Sequence, residues 1–249
     1  MSDRVAEWRT ALGTSAALWS AGGRHEVQRD WWLAFSGANC VDYNAVLCHG
    51  PDCARGLVEH VAAVRAAKVP AVIMVAGAAL AMTNALSGEG WVCVGARPFM
   101  ALTDIGGEAD PDVRRLRPNE LADAQAMIGD AFAVEQQFAA VALPTVAATE
   151  PTREAWGLFV GGELVSCTAA VTVDDTLTIW SMATPPKQQR NGYGRRLLSA
   201  VLAHGREAGA TTSLLYASPE GESLYRSIGY SVVEYWQVWS RARWIFPPA

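Results

Sequence analysis

The sequence predicts an α/β (α+β) protein in two parts, and three observations carry that reading. Residues 103–112, TDIGGEADPD, are rich in Gly, Asp and Pro and lack apolar periodicity, which marks a linker. On each side of it, runs with helical spacing alternate with runs rich in β-branched residues. Residues 71–102 also lie over 210–241 without a gap when Gly90 is set on Gly229, an offset of 229 − 90 = 139. Identities across that overlay are few (Ala71, Ala78, Gly90 and Val94), so the shared pattern, and not the letters, suggests two related units.

The bulk numbers fit. The chain has 249 residues, 51% of them apolar and 18% charged, so a sizeable buried core is feasible. A net charge of −5 argues against nucleic acid as the main partner, because a phosphate backbone needs a basic surface. No apolar run reaches the roughly 18 residues of a membrane helix. The first 23 residues are amphipathic, carry acids early and do not read as a signal peptide. The cysteines are Cys40, Cys48, Cys53, Cys93 and Cys167; an odd, scattered set reads as reduced thiols in a cytoplasmic protein. Cys48, His49 and Cys53 lack a second pair at zinc-like spacing, so no metal is expected.

Taken in order, YNAVLCH (43–49) reads as a strand and CARGLVEHVAAVRAAK (53–68) as a helix. PAVIMVA (70–76) reads as a strand, 80–91 as a helix and VCVGARPFMAL (92–102) as a strand. Past the linker, VRRLRP (113–118) is a short strand, and apolar spacing predicts helices over 119–132 and 135–141, the second ended by Pro144. Three strand-like runs over 154–184 are separated by Gly161–Gly162 and Asp174–Asp175, which is hairpin chemistry, so they form an antiparallel meander. Leu197, Leu198, Val201, Leu202 and Ala208 then share one helix face. TTSLLYA (211–217) is a buried strand, PEGESLYRSIG (219–229) a short helix with Pro near its start and Gly near its end, and 230–242 a final strand.

Between the meander and the long helix stands TPPKQQRNGYGRRLL (184–198). The first turn of a helix leaves backbone N–H groups unpaired, and the helix dipole adds roughly half a positive charge there. Gly192 and Gly194 let a bulky anion approach those amides, and Arg190, Arg195 and Arg196 add formal charge. A Walker loop is excluded, since no Gly-Lys-Ser/Thr follows, and a Rossmann entry is excluded by the antiparallel meander before it.

The chain resembles the GNAT superfamily of acyl-CoA-dependent N-acyltransferases over roughly 112–241. Gln189, Gly192 and Gly194 fill that family's Arg/Gln-x-x-Gly-x-Gly/Ala loop, with Pro186 three before it. Tyr225, Gly229 and Tyr230 in SLYRSIGY fill its Tyr-x-x-x-Gly-Phe/Tyr element. The resemblance implies a mixed, mostly antiparallel sheet flanked by helices, in tandem with a degenerate N-terminal copy. It implies that Gln189, Arg190, Asn191, Gly192, Tyr193 and Gly194, with Arg195, hold the pyrophosphate of acetyl-CoA. The strand ending in SMAT is expected to splay from its neighbour near Met182, Ala183 and Thr184, pairing there with the pantetheine amides. An N–H near Met182 or Ala183 is expected to stabilise an oxyanion, and Tyr225 to protonate the departing thiolate as the catalytic acid. Ser218 stands where many members carry Asn, and the resemblance implies that it takes that residue's place at the cofactor. No Glu occurs in LTIWSMA (177–183), where the family often keeps a general base; Glu135, Glu150, Asp174, Asp175, Glu222 or a water chain stay open.

Residues 1–102 are therefore expected to be a degenerate GNAT-like domain and 113–249 the catalytic one. In the first, HGPDCARG (49–56) puts Pro51 and Asp52 where amides are wanted, which is unfavourable beside a diphosphate. Trp31, Trp32, Phe35, Asn39 and Tyr43 form either an aromatic cleft wall or a packed core. His25, His49, His60 and His204 read as surface or satisfied-core residues. The expected activity is transfer of an acetyl group from acetyl-CoA to the amine of a small molecule by direct attack in a ternary complex. The alternatives are a protein or peptide acceptor, and an acyl-CoA-binding module with little turnover. A cytoplasmic monomer or homodimer, with no nucleic-acid or membrane partner, completes the expectation.

Overall fold

A computed structural model describes residues 2–20, 23–51, 53, 62, 64, 66 and 69–245. Most of the helix expected over 53–68, together with Asp52 and His60, lies outside the described residues. Residues pack as two units, Met1–Phe99 with Val232–Ala249, and Met100–Ser231.

Unit 1 begins with α1 (Ser2–Ser15), then β1 (Arg24–Val27), β2 (Trp31–Phe35) and β3 (Asn44–Cys48). These strands form an antiparallel meander, with Val27 opposite Trp32 and Trp32 opposite Leu47. β4 (Val72–Val75) runs parallel to β3, α2 (Thr83–Gly88) follows, and β5 (Val92–Leu102) leaves the unit at its end. The sequence reading missed β1 and β2. WWLAF has no alternation because Trp32, Leu33, Ala34 and Phe35 are all buried, so the run is apolar on both faces. Trp32 and Phe35 thus pack in a core and do not line an open cleft.

Unit 2 holds β6 (Val113–Arg115), α3 (Leu121–Phe132), α4 (Gln136–Ala142), β7 (Arg153–Val160), β8 (Glu163–Val173) and β9 (Thr176–Ala183). It continues with α5 (Tyr193–Glu207), β10 (Thr212–Tyr216) and α6 (Glu222–Ile228). β6 to β9 are antiparallel neighbours and β10 joins β9 in parallel. The turn residues do what the sequence asks of them. Gly161, Gly162 and Asp174 all have φ between 51 and 88°, the left-handed region that tight hairpins use. Helices cover both faces. A Cβ on Gly205 of α5 would lie 2.7 Å from Leu177, while Cys167, on the opposite face by strand alternation, donates its thiol to the Ala124 carbonyl of α3 at 3.7 Å.

The internal repeat is visible in the element bounds. Moved by 139, β4, α2 and β5 fall on 211–214, 222–227 and 231–241, against β10 (Thr212–Tyr216), α6 (Glu222–Ile228) and β11 (Ser231–Ser240). Gly90 and Gly229 both end the preceding helix with positive φ, 79° and 112°. Packing, however, does not divide the chain at the linker. β11 pairs antiparallel with β4 from Gln237–Val75 to Trp239–Ile73, and Trp236 stacks on Phe99 at 4.7 Å, so Val232–Ala249, including the short α7 (Ala242–Ile245), belong with the N-terminal residues. The expectation of five thiols also needs correction. Cys48 and Cys53, five positions apart and fully buried, form a disulfide; Cys40, Cys93 and Cys167 are free.

One histidine departs from its expected role. His49 follows β3, is 3% exposed, and its Nε2 makes no hydrogen bond. Burial, then the nearby Arg9 guanidinium, lower its pKa to about 4, against the opposing pull of Asp30 and Glu234. A pKa lower in the folded state means that the unfolded chain takes up the proton first. The stability of the neutral form is complete above pH 6.5 and is lost as pH falls toward 4. Urea unfolding should show about 2 kcal/mol of loss from this group between pH 7.5 and pH 5. His49→Gln should narrow the pH response by that amount; an unchanged response would assign the acid sensitivity elsewhere.

Candidate active site

The site grows out of an irregularity at the end of β9. Cys167 lies opposite Ala183 and Ala169 opposite Trp180, so β9 spends one more residue than β8 on the same stretch. That is a β-bulge, and Ser181 takes the cost with φ 50°. Side chains hold it: Ser181 Oγ donates to the Ala142 carbonyl of α4 (3.1 Å), Thr168 Oγ1 to the Trp180 carbonyl (2.9 Å), and Ser166 Oγ to the Ala183 carbonyl (2.9 Å).

The bulge coincides with a divergence. β10 is in register with β9 only from Thr212–Thr176 to Leu214–Thr178, while β9 continues to Ala183. The edge of β9 near Met182 therefore lacks a registered β10 partner. Unit 1 does the opposite at the equivalent place: β3 and β4 pair through to Cys48–Val75, and the Ala76 amide then closes on the Cys48 carbonyl at 2.9 Å.

Beyond β9 the loop turns into α5 through two left-handed residues, Arg190 (φ 66°) and the N-cap Gly192 (φ 77°). Gln189 to Gly192 are exposed, and a Cβ on Gly192 would meet nothing within 4 Å. The turn is open and its glycine answers a backbone need. Gln189 donates to the Thr184 carbonyl (3.0 Å) and Asn191 to the Gln188 carbonyl (3.0 Å), which fixes the loop on itself. Gly194 serves close packing: its Cβ would sit 3.2 Å from both Leu224 of α6 and Met182 of β9.

The arginines divide. Arg195 donates to the Ser227 carbonyl in the last turn of α6 at 3.0 Å. Arg196 does not serve the loop as the sequence suggested. It bonds Asp110 at 2.8 and 3.0 Å and Asp112 at 2.7 Å, and its guanidinium depresses the Asp110 pKa. The stretch read as a plain linker is thus clamped to α5. Gly107 comes close enough that a Cβ would lie 2.3 Å from the Ser199 carbonyl oxygen, and Glu108 N donates to Ser199 Oγ at 3.0 Å.

Tyr225 on α6 points its hydroxyl at the Met182 sulfur, 3.9 Å away. Its ring meets Tyr230 edge-on at 5.8 Å, and Tyr230 is fixed by a 2.6 Å hydrogen bond with Ser213. Burial of the phenol pushes the Tyr225 pKa up to about 12, so it carries its proton at neutral pH. Ser218 uses its Oγ to accept from Gly221 N at 3.2 Å, at the start of α6.

The open candidates for a general base fare unequally. Asp174 and Asp175 form the β8–β9 turn, at the opposite end of β9 from Met182, roughly 20 Å away at 3.3 Å per residue. Asp175 accepts from Thr211 at 2.6 Å, and Glu222 is paired with Arg226 at 2.7 Å. Glu154, which the sequence did not single out, is 8% exposed and lies 3.6 Å from His204 and 3.3 Å from Arg115. No sequence spacing joins those three, which only the β6–β7–α5 packing assembles.

Comparison with known proteins bears on the family and the fold. Residues 122–230 match the model of the acetyltransferase (GNAT) family. Among solved structures, a GCN5-related N-acetyltransferase from Kribbella flavida superposes with a TM-score of 0.69 at 17% identity, over 96% of this chain and 95% of that one. A GCN5-related N-acetyltransferase from Sphaerobacter thermophilus gives 0.60 at 14% identity, over 85% and 76%. A conserved protein of unknown function from Staphylococcus epidermidis gives 0.62 at 13% identity, over 88% and 94%. At these identities the likeness is one of fold. No curated protein matches the sequence. The residues that match the GNAT acetyltransferase model lie within unit 2. Among the described residues, no helix is long and apolar enough to cross a membrane.

The Arg196 clamp makes a measurable claim. Arg196→Ala should lower the stability of the protein by about 1 kcal/mol at low salt, and by less in 1 M NaCl, because the pair is partly exposed. Denaturant midpoints at the two ionic strengths check it; a salt-independent loss would mean that packing, not charge, holds the linker.

Proposed function

We propose that unit 2 transfers an acetyl group from acetyl-CoA to the amine of a small molecule, by direct attack while both substrates are bound. The observation that carries this reading is the conjunction of an open helix start at Gly192 with the divergence of β9 from β10 and the Tyr225 hydroxyl facing Met182.

The residues fit such a donor. The first-turn amides of α5 have no intrahelical carbonyl to bond, so they are available to a diphosphate. Gln189, Arg190, Asn191, Gly192, Tyr193 and Gly194 would hold it, with Arg190 as the loop cation; Arg195 is already spent in part on Ser227. Met182, Ala183 and Thr184 would present backbone groups to an extended amide-bearing arm, as an added strand does. The donor supplies an activated acyl carbon. An N–H at Met182 or Ala183 would stabilise charge on its oxygen. As the new N–C bond forms and the C–S bond breaks, Tyr225 would give its proton to the sulfur, and the proton lost by the attacking amine would pass through water to restore the phenol. The phenol is suited to this, since its pKa of about 12 keeps it protonated and its present acceptor, a thioether, is a weak one. Ser218 is engaged at the α6 start and would contribute through that turn.

Unit 1 keeps β3 and β4 zipped and is not assigned a second donor site.

Isothermal titration should show acetyl-CoA binding to the wild type. Gly192→Asp should weaken it at least thirtyfold, whereas Gly161→Asp, at a second exposed positive-φ glycine, should not. Equal affinity in wild type and Gly192→Asp would remove the loop assignment. Tyr225→Phe should cut turnover tenfold or more with donor affinity nearly unchanged. Release of free thiol across a panel of small amines, peptide N-termini and lysine peptides identifies the acceptor class, and silence across the panel would favour a binding module.

A further inference from the structure

The fork between β9 and β10 is floored by two aromatic rings. The strands are parallel and their last registered pair is Thr178–Leu214. Two residues on, along the same face, stand Trp180 and Tyr216. Their rings meet edge-on, centroids 5.7 Å apart and planes at 81°. They bridge the strands where the backbone ladder has stopped.

The indole is fixed. Trp180 is 7% exposed, its Nε1 donates to Thr178 Oγ1 at 3.0 Å, and Thr178 in turn donates to the Val171 carbonyl at 3.0 Å. Its own carbonyl accepts from Thr168 at 2.9 Å. The bulge residue after it is tied to α4 through Ser181 and the Ala142 carbonyl. Tyr216, by contrast, is only partly buried, so it forms the face of this floor that is nearer to solvent.

We propose that Trp180 and Tyr216 limit the length of the acyl chain that the site accepts, restricting it to short acyl groups. This rests on the acyl-CoA reading above. A donor anchored at the start of α5 and laid along β9 runs from Thr184 back toward the fork. Its thioester end then lies near Met182, two residues or about 7 Å of strand from Trp180. A two-carbon acyl group ends short of the rings. A six-carbon chain continuing in that direction meets a side chain that hydrogen bonds hold in place and that close packing keeps from yielding.

The test uses acetyl-CoA, butanoyl-CoA and hexanoyl-CoA as probes in isothermal titration, so no acceptor is required. Wild type should bind hexanoyl-CoA at least tenfold more weakly than acetyl-CoA. Tyr216→Ala should shrink that ratio at least fivefold, and Tyr216→Phe, which keeps the ring, should leave it in place. Trp180→Ala should shrink it further; because this indole is buried, Tyr216→Ala with an unchanged circular dichroism spectrum carries the test where the Trp180 variant does not fold. Equal binding of all three probes by wild type, or an unmoved ratio in folded Tyr216→Ala, overturns the gate and leaves the acyltransferase reading standing. Absence of binding for every probe, acetyl-CoA included, overturns both.

Discussion

The architecture of the candidate site depends on one constraint: β9 cannot keep pace with both of its neighbours. It inserts an extra residue against β8 at Ser181, and its register with β10 ends at Thr178. A parallel ladder that ended later would consume the edge near Met182. Three hydroxyls, on Ser166, Thr168 and Ser181, hold this irregular backbone, so the bulge is a supported feature of the strand and not a frayed end. The Tyr225 hydroxyl and the open start of α5 acquire meaning only because that edge exists.

Unit 1 gives the internal control. It repeats the order of meander, parallel strand, short helix and final strand, the last three at an offset of 139 residues, down to a left-handed glycine after each short helix. Yet its parallel pair stays closed to the last residue of each strand, Cys48 and Val75. Sharing a fold is therefore insufficient for the chemistry, which is a property of the local site. In the place where unit 2 presents an edge, unit 1 puts a buried disulfide and a neutral buried histidine.

Much of this was legible in the sequence, and the reasons differ by element. The hairpins were marked by Gly161–Gly162 and Asp174–Asp175 because left-handed turns admit few residue types. Helix α5 was marked by its apolar face, and its start by Gly192, which the left-handed turn there requires. β2 was hidden because a strand buried on both faces loses its alternation, and β1 because RHEV is four residues long and mostly polar. The partnership of Arg196 with Asp110 and Asp112 was hidden for another reason: an ion pair between residues 84 and 86 positions apart has no local pattern. The same holds for Trp180 and Tyr216, whose meeting is set by strand register alone. In SMAT nothing announces that Ser181 will adopt a positive φ, since that goes with the shift of register against β8.

The return of β11 to the first unit has a consequence for how such a chain can arise and be handled. Its residues pair with β4 and stack on Phe99, so each end of the polypeptide contributes to one hydrophobic core. A polypeptide that stops inside 103–112 would leave β4 with an unsatisfied edge, a site for aberrant association. The two halves share a pattern of elements, yet packing does not make them separable modules. Recombination or expression of either alone would have to respect a cut after Phe99 and the reattachment of Val232–Ala249, which no single break in the gene can provide.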